Sequence, residues 1–467
     1  MNLIQRIFSV EALTPKHHMT DELPSTREVY ETTLKMAWPS AMEAILISMI
    51  GAMDMIMVSS LGSGAIAAVG ITTQPKFFLM CFVFAVNTGV TVVISRRRGA
   101  QDKEGANKAL RNGLMMSFGV TLIVSILGFI FAEPFLIFAG AQASYLPDAL
   151  IYFRIIIIGG FFYLLSLTIT AAQRGAGNTR ISLATNLTAN LVNIFFNWLL
   201  IFGIWIFPRW GVMGAAVATA IGNFAGLMLA IRSITKKDSF LQLKFSDNWK
   251  LDPPTLKTMW NISSSSLFEQ VFIRIGFLMY AKAVAGLGTI EFATHNIAMQ
   301  VMSITFSVGD GLSIACTALV GHSLGARRPY LAILYGRVSQ RIGLVISLVL
   351  ALLIIVLRGP IMGLFSIDPR VLALGQNILI ILAICVIFQI SQVITIGSLR
   401  GAGDVKFVAM LSMISVTLMR PAFTFLLAYG FGFGLYGAWF SVILDQAMRF
   451  IVSRYRFQKA EWTKIIV

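Results

Sequence analysis

Arg174-Gly175-Ala176-Gly177-Asn178 and Arg400-Gly401-Ala402-Gly403-Asp404 are nearly the same phrase written twice, 226 residues apart. The same spacing carries Gly99-Ala100 onto Gly325-Ala326, Leu61-Gly62 onto Leu287-Gly288, and Glu43 onto Glu269. One spacing held over about 135 residues marks an internal duplication. Each copy spans about two hundred residues on either side of a polar stretch, Thr235–Lys257, the only long one inside the chain.

Composition says what each copy is made of. Apolar residues make up 57% of the 467 and charged residues only 12%, about half the ~25% of soluble domains; mean hydropathy is +0.79. A bilayer core takes about 20 consecutive apolar residues per helix, and such runs recur from Leu34 to Tyr455. They are continuous rather than alternating, so they predict helices and not a barrel. Spans fall near 34–60, 73–95, 112–139, 146–172, 180–204 and 210–233, then 259–285, 292–322, 337–365, 370–397, 404–430 and 433–455. The expected fold is an all-α polytopic membrane protein of twelve transmembrane helices, two repeats of six. Its expected division is a tail 1–33, an N-lobe 34–234, a linker 235–258, a C-lobe 259–455 and a tail 456–467.

Six is even, so both halves enter the membrane from one side, related by an axis along its normal. The N-terminal tail, alternate loops with their span ends, and the C-terminal tail hold 29 of the 37 Lys and Arg. The opposite loops hold three, Arg209, Arg358 and Arg370. This bias predicts a multi-pass protein of the cell membrane with both termini cytoplasmic. The net charge of +16 is thereby spent on loop anchors, and nucleic acid is not an expected partner. Cys81, Cys316 and Cys385 lie inside apolar runs and predict no disulfide framework. Leu3, Ile4, Ile7 and Phe8 suit either a short surface helix or a disordered tail.

Charge inside the spans points to function. An acid at a helix centre costs roughly 2.5–3.5 kcal/mol on insertion scales, so several of them imply a polar interior. Glu43 and Asp54 are eleven residues apart on the first span, about three turns along one face. On the fifth, Asn186, Asn190, Asn193 and Asn197 follow the i, i+4, i+7, i+11 spacing of a single face. Such a stripe suits a hydrated cavity or a hydrogen-bonded helix interface. Facing the acidic side of the first span, it would gather oxygen ligands for Na⁺, or a carboxylate able to carry a proton. Asp54, Glu43, Asn190, Asn193 and Asn197 are therefore the candidate ion-coupling set, with Na⁺ expected at Asp54, Asn193 and Asn197 and no tightly bound metal. Glu269, Arg274 and Asp404 are the candidate substrate-facing set. Arg274 is five positions from Glu269 and need not pair with it. Asp404 and Asp445 have a structural reading as partners of Arg400 or Arg449. Asp310, between Gly309 and Gly311, suggests a broken or closely packed helix.

Chemical motifs are weak. Gly321-His322-Ser323-Leu324-Gly325 fits a nucleophile elbow in letters, but ends a membrane span instead of joining a strand to a helix, and Arg97 stands where its repeat would need the serine. There is no GxxxxGK[ST] loop and no HExxH. An enzyme is not expected.

Taken together, Asp54-Met55-Ile56-Met57-Val58 with Leu61-Gly62, the two Arg-Gly-Ala-Gly phrases, Asn193 through Gly203, and Gly211-Val212-Met213-Gly214-Ala215-Ala216 beside Gly434-Leu435-Tyr436-Gly437-Ala438-Trp439 resemble the multidrug and toxic-compound extrusion (MATE) family, over roughly residues 34–455. The resemblance implies an antiporter whose two six-helix lobes rock around a central cavity. It implies export of small amphipathic, often cationic, compounds in exchange for Na⁺ or H⁺, with no cofactor and as a monomer in the lipid bilayer. It implies that Asp54 is the cation or proton site of the N-lobe, and that Glu269 and Asp404 match acids of the family's seventh and eleventh helices. An archaeal branch carries a second aspartate where this chain has Asn197, which leaves the coupling ion open. The competing reading is a flippase for lipids or lipid-linked oligosaccharides, for which Arg154, Arg274 and Arg420 speak.

Overall fold

The computed structural model describes residues 8–13, 24–204, 207–236, 239–244 and 249–465, with the side chains of 48–52, 55 and 63 left aside. Leu3, Ile4 and Ile7 lie outside the described residues. Among those described there is no strand. Twelve long helices follow in order: α1 (Thr26–Ser59), α2 (Thr73–Gly99), α3 (Lys103–Ile130), α4 (Leu146–Gly175), α5 (Thr179–Phe202), α6 (Gly211–Thr235), α7 (Pro253–Ala285), α8 (Thr289–Gly325), α9 (Pro329–Phe365), α10 (Pro369–Gly401), α11 (Val405–Gly430) and α12 (Gly434–Gln458). Nine helical stretches among the described residues are long and apolar enough to cross a membrane: Gly64–Gly99, which includes α2, then α3–α6 and α8–α11. The other three, α1, α7 and α12, carry Glu43 and Asp54, Glu269 and Arg274, and Asp445 and Arg449. The protein is thus the expected twelve-helix membrane chain.

Local chemistry sets the helix ends. Asp102 caps α3 by accepting from Gly105 N at 2.8 Å, and Asp368 caps α10 by accepting from Arg370 N at 2.9 Å, with Pro369 following. Two ends differ from the apolar pattern. Helix α1 begins at Thr26, eight residues before its apolar run, because Val29 and Thr33 are fully buried while Arg27 and Glu31 pair on its wet side at 2.6 Å. The third span is two helices, α3 and a short Ala132–Phe138, meeting at Phe131.

The duplication is visible in the backbone. Gly177 and Gly403, equivalent by the 226-residue spacing, have φ of 88° and 87°. Gln101 and Arg327, also equivalent, turn through φ of 56° and 58° although neither is glycine. Contacts repeat as well. A Cβ on Gly175 would lie 2.8 Å from the Thr91 carbonyl oxygen, and one on Gly401 would collide with that of Thr317. Thr91 donates to the Ala171 carbonyl at 3.1 Å, and Thr317 to that of Gly397 at 2.9 Å. The conserved close approach explains why both phrases need glycine there.

The equivalence slips in α11, which is π-helical over Met413–Met419 and again over Phe425–Gly430. A π-turn holds one residue more than an α-turn. Beyond the first of these stretches, Leu427 takes the place of Leu200 at a spacing of 227: Gly437 packs on Leu427 as Gly214 packs on Leu200.

The chain packs as two units, and they are not cut at the linker. One is Met42–Leu267; the other is Met1–Ala41 with Phe268–Val467. The two cut points, inside α1 and inside α7, are themselves 226 residues apart. The first part of α1 therefore belongs with the second repeat: Gly311 of α8 comes so close to Ala41 that a Cβ would sit 2.5 Å from its backbone. This tight approach, in an unbroken α8, settles the glycines around Asp310 as close packing. The first part of α7 belongs with the first repeat, where a Cβ on Gly89 would meet the Met259 carbonyl at 2.9 Å. Short flanking helices join the second unit: Val10 and Leu13 are buried in its core, and Trp462 is buried against Phe457 at 5.0 Å.

Candidate functional site: buried acids on α1 and α7

In the unit Met42–Leu267, the two acids of α1 meet α5 at different depths. Glu43 is 6% exposed. Its Oε1 accepts from Asn186 Nδ2 at 2.6 Å, Ser182 Oγ at 2.8 Å and Arg174 at 3.3 Å. Arg174 also donates to Ser182 Oγ at 2.7 Å. Three turns on, Asp54 Oδ1 accepts from Asn197 Nδ2 at 2.7 Å. The ends of an Asn amide are assigned by their partners. In the orientation satisfied at both ends, Asn193 donates to Asp54 Oδ1 at 2.8 Å and accepts from Thr219 Oγ1 of α6 at 3.0 Å. Lys76 of α2 and Tyr152 of α4 lie within electrostatic range of Asp54. Asn190 is half-buried on the same face of α5.

Thus α1 does face the asparagine stripe, but the amides turn their N–H ends to the acids. Asn197 Oδ1 is left buried with no hydrogen-bond partner among the described residues.

In the other unit, Glu269 of α7 is 1% exposed and accepts from Arg400 at 2.6 Å and Ser412 Oγ at 3.0 Å. By the 226-residue spacing these partners are the equivalents of Arg174 and Asn186. Asp404 pairs not with Arg400 but with Arg456 Nε at 2.9 Å, which also reaches Glu461 at 2.7 Å. The reason is that Arg400 is already held by Glu269. Asp445 of α12 is buried against Arg420 and Arg449, with Ser415 Oγ donating to its other oxygen.

Of Glu43, Asp54, Glu269, Asp404 and Asp445, only Asp54 has no arginine beside it among the described residues. Its carboxylate rests on neutral amides, beside an amide oxygen with nothing to accept from. That is an oxygen-rich place where charge compensation is incomplete, suited to a hard cation or a proton.

Sequence reasoning found the acids and the stripe but missed the roles of Arg174, Ser182, Thr219, Arg400, Ser412 and Arg456. For two of them the signal was present: the arginines that open the repeated phrases are the partners of the repeated glutamates.

A family model described as MatE matches residues 39–199 and again 266–426, one match per repeat. The chain belongs to the MatE family. It is a transporter of that family, and its relatives are alike over nearly their whole length. An uncharacterized transporter of Bacillus subtilis, YisQ, is 28% identical over 91% of this chain and 94% of its own. A probable multidrug resistance protein, NorM, of Thermotoga maritima is 26% identical over 95% of each. Among solved structures, an outward-facing multidrug resistance MATE family transporter of the MOP superfamily matches the fold with a TM-score of 0.86 at 20% identity, covering 93% of this chain and 97% of that one. A MOP superfamily transporter from Pyrococcus furiosus matches at 0.85, also at 20% identity and with the same coverage.

Proposed function

We propose that this MatE protein is a secondary active antiporter. It exports small amphipathic, cationic organic compounds in exchange for Na⁺ or H⁺, by alternating access. The observation that carries the reading is Asp54, a membrane-embedded carboxylate on amide donors, next to the unpartnered Oδ1 of Asn197. Na⁺ would take oxygens of Asp54 and Asn197, and that of Asn193 once its amide turns away from Thr219; a proton would take Asp54 alone. Either would neutralise the carboxylate. Occupancy then drives transport only as far as the ion binds one access state more tightly than the other. Glu43, already paired with Arg174, supports α1 rather than holding the ion. Glu269, with Arg274 and Asp404, is assigned to the substrate side. The NorM relatives, named as probable multidrug resistance proteins, support the substrate class. The charge bias supports a plasma-membrane protein with both termini cytoplasmic; a monomer with no cofactor is what the family resemblance implies.

The flippase reading is weaker, since Arg420, one of its three arginines, is 1% exposed and tied to Asp445.

The test is dye efflux from proteoliposomes under Na⁺ and pH gradients imposed separately. One gradient is expected to drive ethidium export, and Asp54→Asn to abolish it at normal expression. Full export by that variant would sink the assignment.

A further inference from the structure

Away from the acid sites, the unit Met1–Ala41 with Phe268–Val467 holds a cavity of about 250 Å³ where the helix Val10–Leu13 and the end of α12 meet α9 and α10. Taking about 30 Å³ per water, that is room for roughly eight waters. Arg337 and Arg341, one turn apart on α9, line it together with Arg454 of α12. Three guanidiniums present about fifteen N–H donors. Among the described residues little of this capacity is used: Arg337 donates to the Leu13 carbonyl at 2.7 Å, and Arg454 lies 5.7 Å from the Phe450 ring centroid. The ion pairs of this unit among the described residues are those of Arg27, Arg370, Arg400, Arg420, Arg449 and Arg456, and none includes these three. Gln340 is fixed between them by donating to the Ser391 carbonyl at 2.6 Å, so the cavity wall is built, not merely gathered.

Three cations around one cavity repel each other, and an anion relieves the repulsion. A carboxylate offers two oxygens and one charge, which a single arginine fork satisfies. Three forks converging from two helices fit a tetrahedral group with more acceptors. We propose that this cavity binds a phosphate group, with Arg341 and Arg454 as its forked partners and Arg337 giving the N–H groups that Leu13 leaves over. The surroundings favour the phosphodiester headgroup of an anionic lipid. Leu344 lines the cavity, and beyond it Leu348 and Leu352, 51% and 62% exposed, continue an apolar face of α9 along which acyl chains can run.

The experiment reads binding, not transport, so it stands apart from the antiport assignment. The full chain, stripped of lipid in detergent, is melted with added phosphatidylglycerol, phosphatidylcholine or inorganic phosphate. Phosphatidylglycerol is expected to raise the unfolding temperature more than phosphatidylcholine, whose choline the arginines repel. Arg341→Gln with Arg454→Gln is expected to weaken its apparent affinity at least about tenfold without changing the unliganded melt. An arginine-dependent shift with inorganic phosphate would support the site with a soluble source. Equal shifts in wild type and variant, or none with any addition, would overturn it. If the double Gln variant does not fold, Arg341→Lys with Arg454→Lys decides: it keeps the charges and loses the forks, and undiminished binding there counts against the proposal.

Discussion

The two repeats treat the same pair of helices alike at one level and in opposite ways at the next. Glu43 with Arg174 and Asn186, and Glu269 with Arg400 and Ser412, are one arrangement made twice. Further along, Asp54 in the first repeat stands where the second has Tyr280. The π-turn in α11 shifts the register, so that Arg420 stands where the first repeat has Asn193. On the neighbouring helix, Gly222 packs against Asn193 in the first repeat, whereas Asp445 pairs with Arg420 in the second. One copy thus keeps an acid with no cation in contact among the described residues; the other has supplied both charges and closed the site, with Arg420 and Asp445 each 1% exposed. The lesson is that duplication preserved the scaffold contacts and left the chemistry between them free to diverge.

The contrast is tested most severely by removing each acid. Asp445→Leu strands Arg420 and Arg449 in the core and is expected to cost at least about 3–5 kcal/mol, read as a large fall in the unfolding temperature of the purified protein. Asp54→Asn is expected to leave that temperature nearly unchanged while ending efflux. If the two variants melt alike, the distinction between a sealed and an open site fails.

A smaller effect tests the likeness. Glu43→Gln and Glu269→Gln each weaken one charge-assisted set, worth about 1.5–3 kcal/mol. The two losses should agree within about 1 kcal/mol; a wide gap would show that the two glutamates are not equivalent. Next come the crossing glycines. Gly175→Ala and Gly401→Ala should each cost about 1–3 kcal/mol by overpacking, with Gly401→Ala the worse because its carbonyl neighbour is closer. The smallest effect is a gain. Gln101→Gly and Arg327→Gly relieve left-handed turns and should raise stability by up to about 1 kcal/mol each. A loss in either would mean that its side chain contributes more than its backbone costs.

Much of the fold was legible because it depends on patterns along the chain. Apolar runs gave the helices, and a fixed spacing gave the duplication. The acids and the asparagine stripe were legible because a charge or an amide inside an apolar run stands out on its own. Their partners were harder. Arg420 and Asp445 are 25 residues apart on adjacent helices, and no periodicity within either helix says that they meet. The π-turn that brings Arg420 into place is marked only by Pro421 just after it, and a proline signals an irregular helix without saying which way its register shifts. Sequence places Arg400 next to Asp404, but the fold gives Asp404 Arg456 from the far end of α12. Competition for one arginine is a three-dimensional fact.

The cuts inside α1 and α7 have a consequence for how such a chain can be divided. Cleavage in the linker around residues 237–248 would separate the two genetic halves, but not two self-sufficient bodies. The N-terminal fragment would keep Met1–Ala41, which completes the other body, and would lose Pro253–Leu267, which completes its own. Each fragment would carry its sibling's missing piece. Reassembly from separately made halves would therefore demand a mutual exchange of helix segments, and neither half would be a finished product alone.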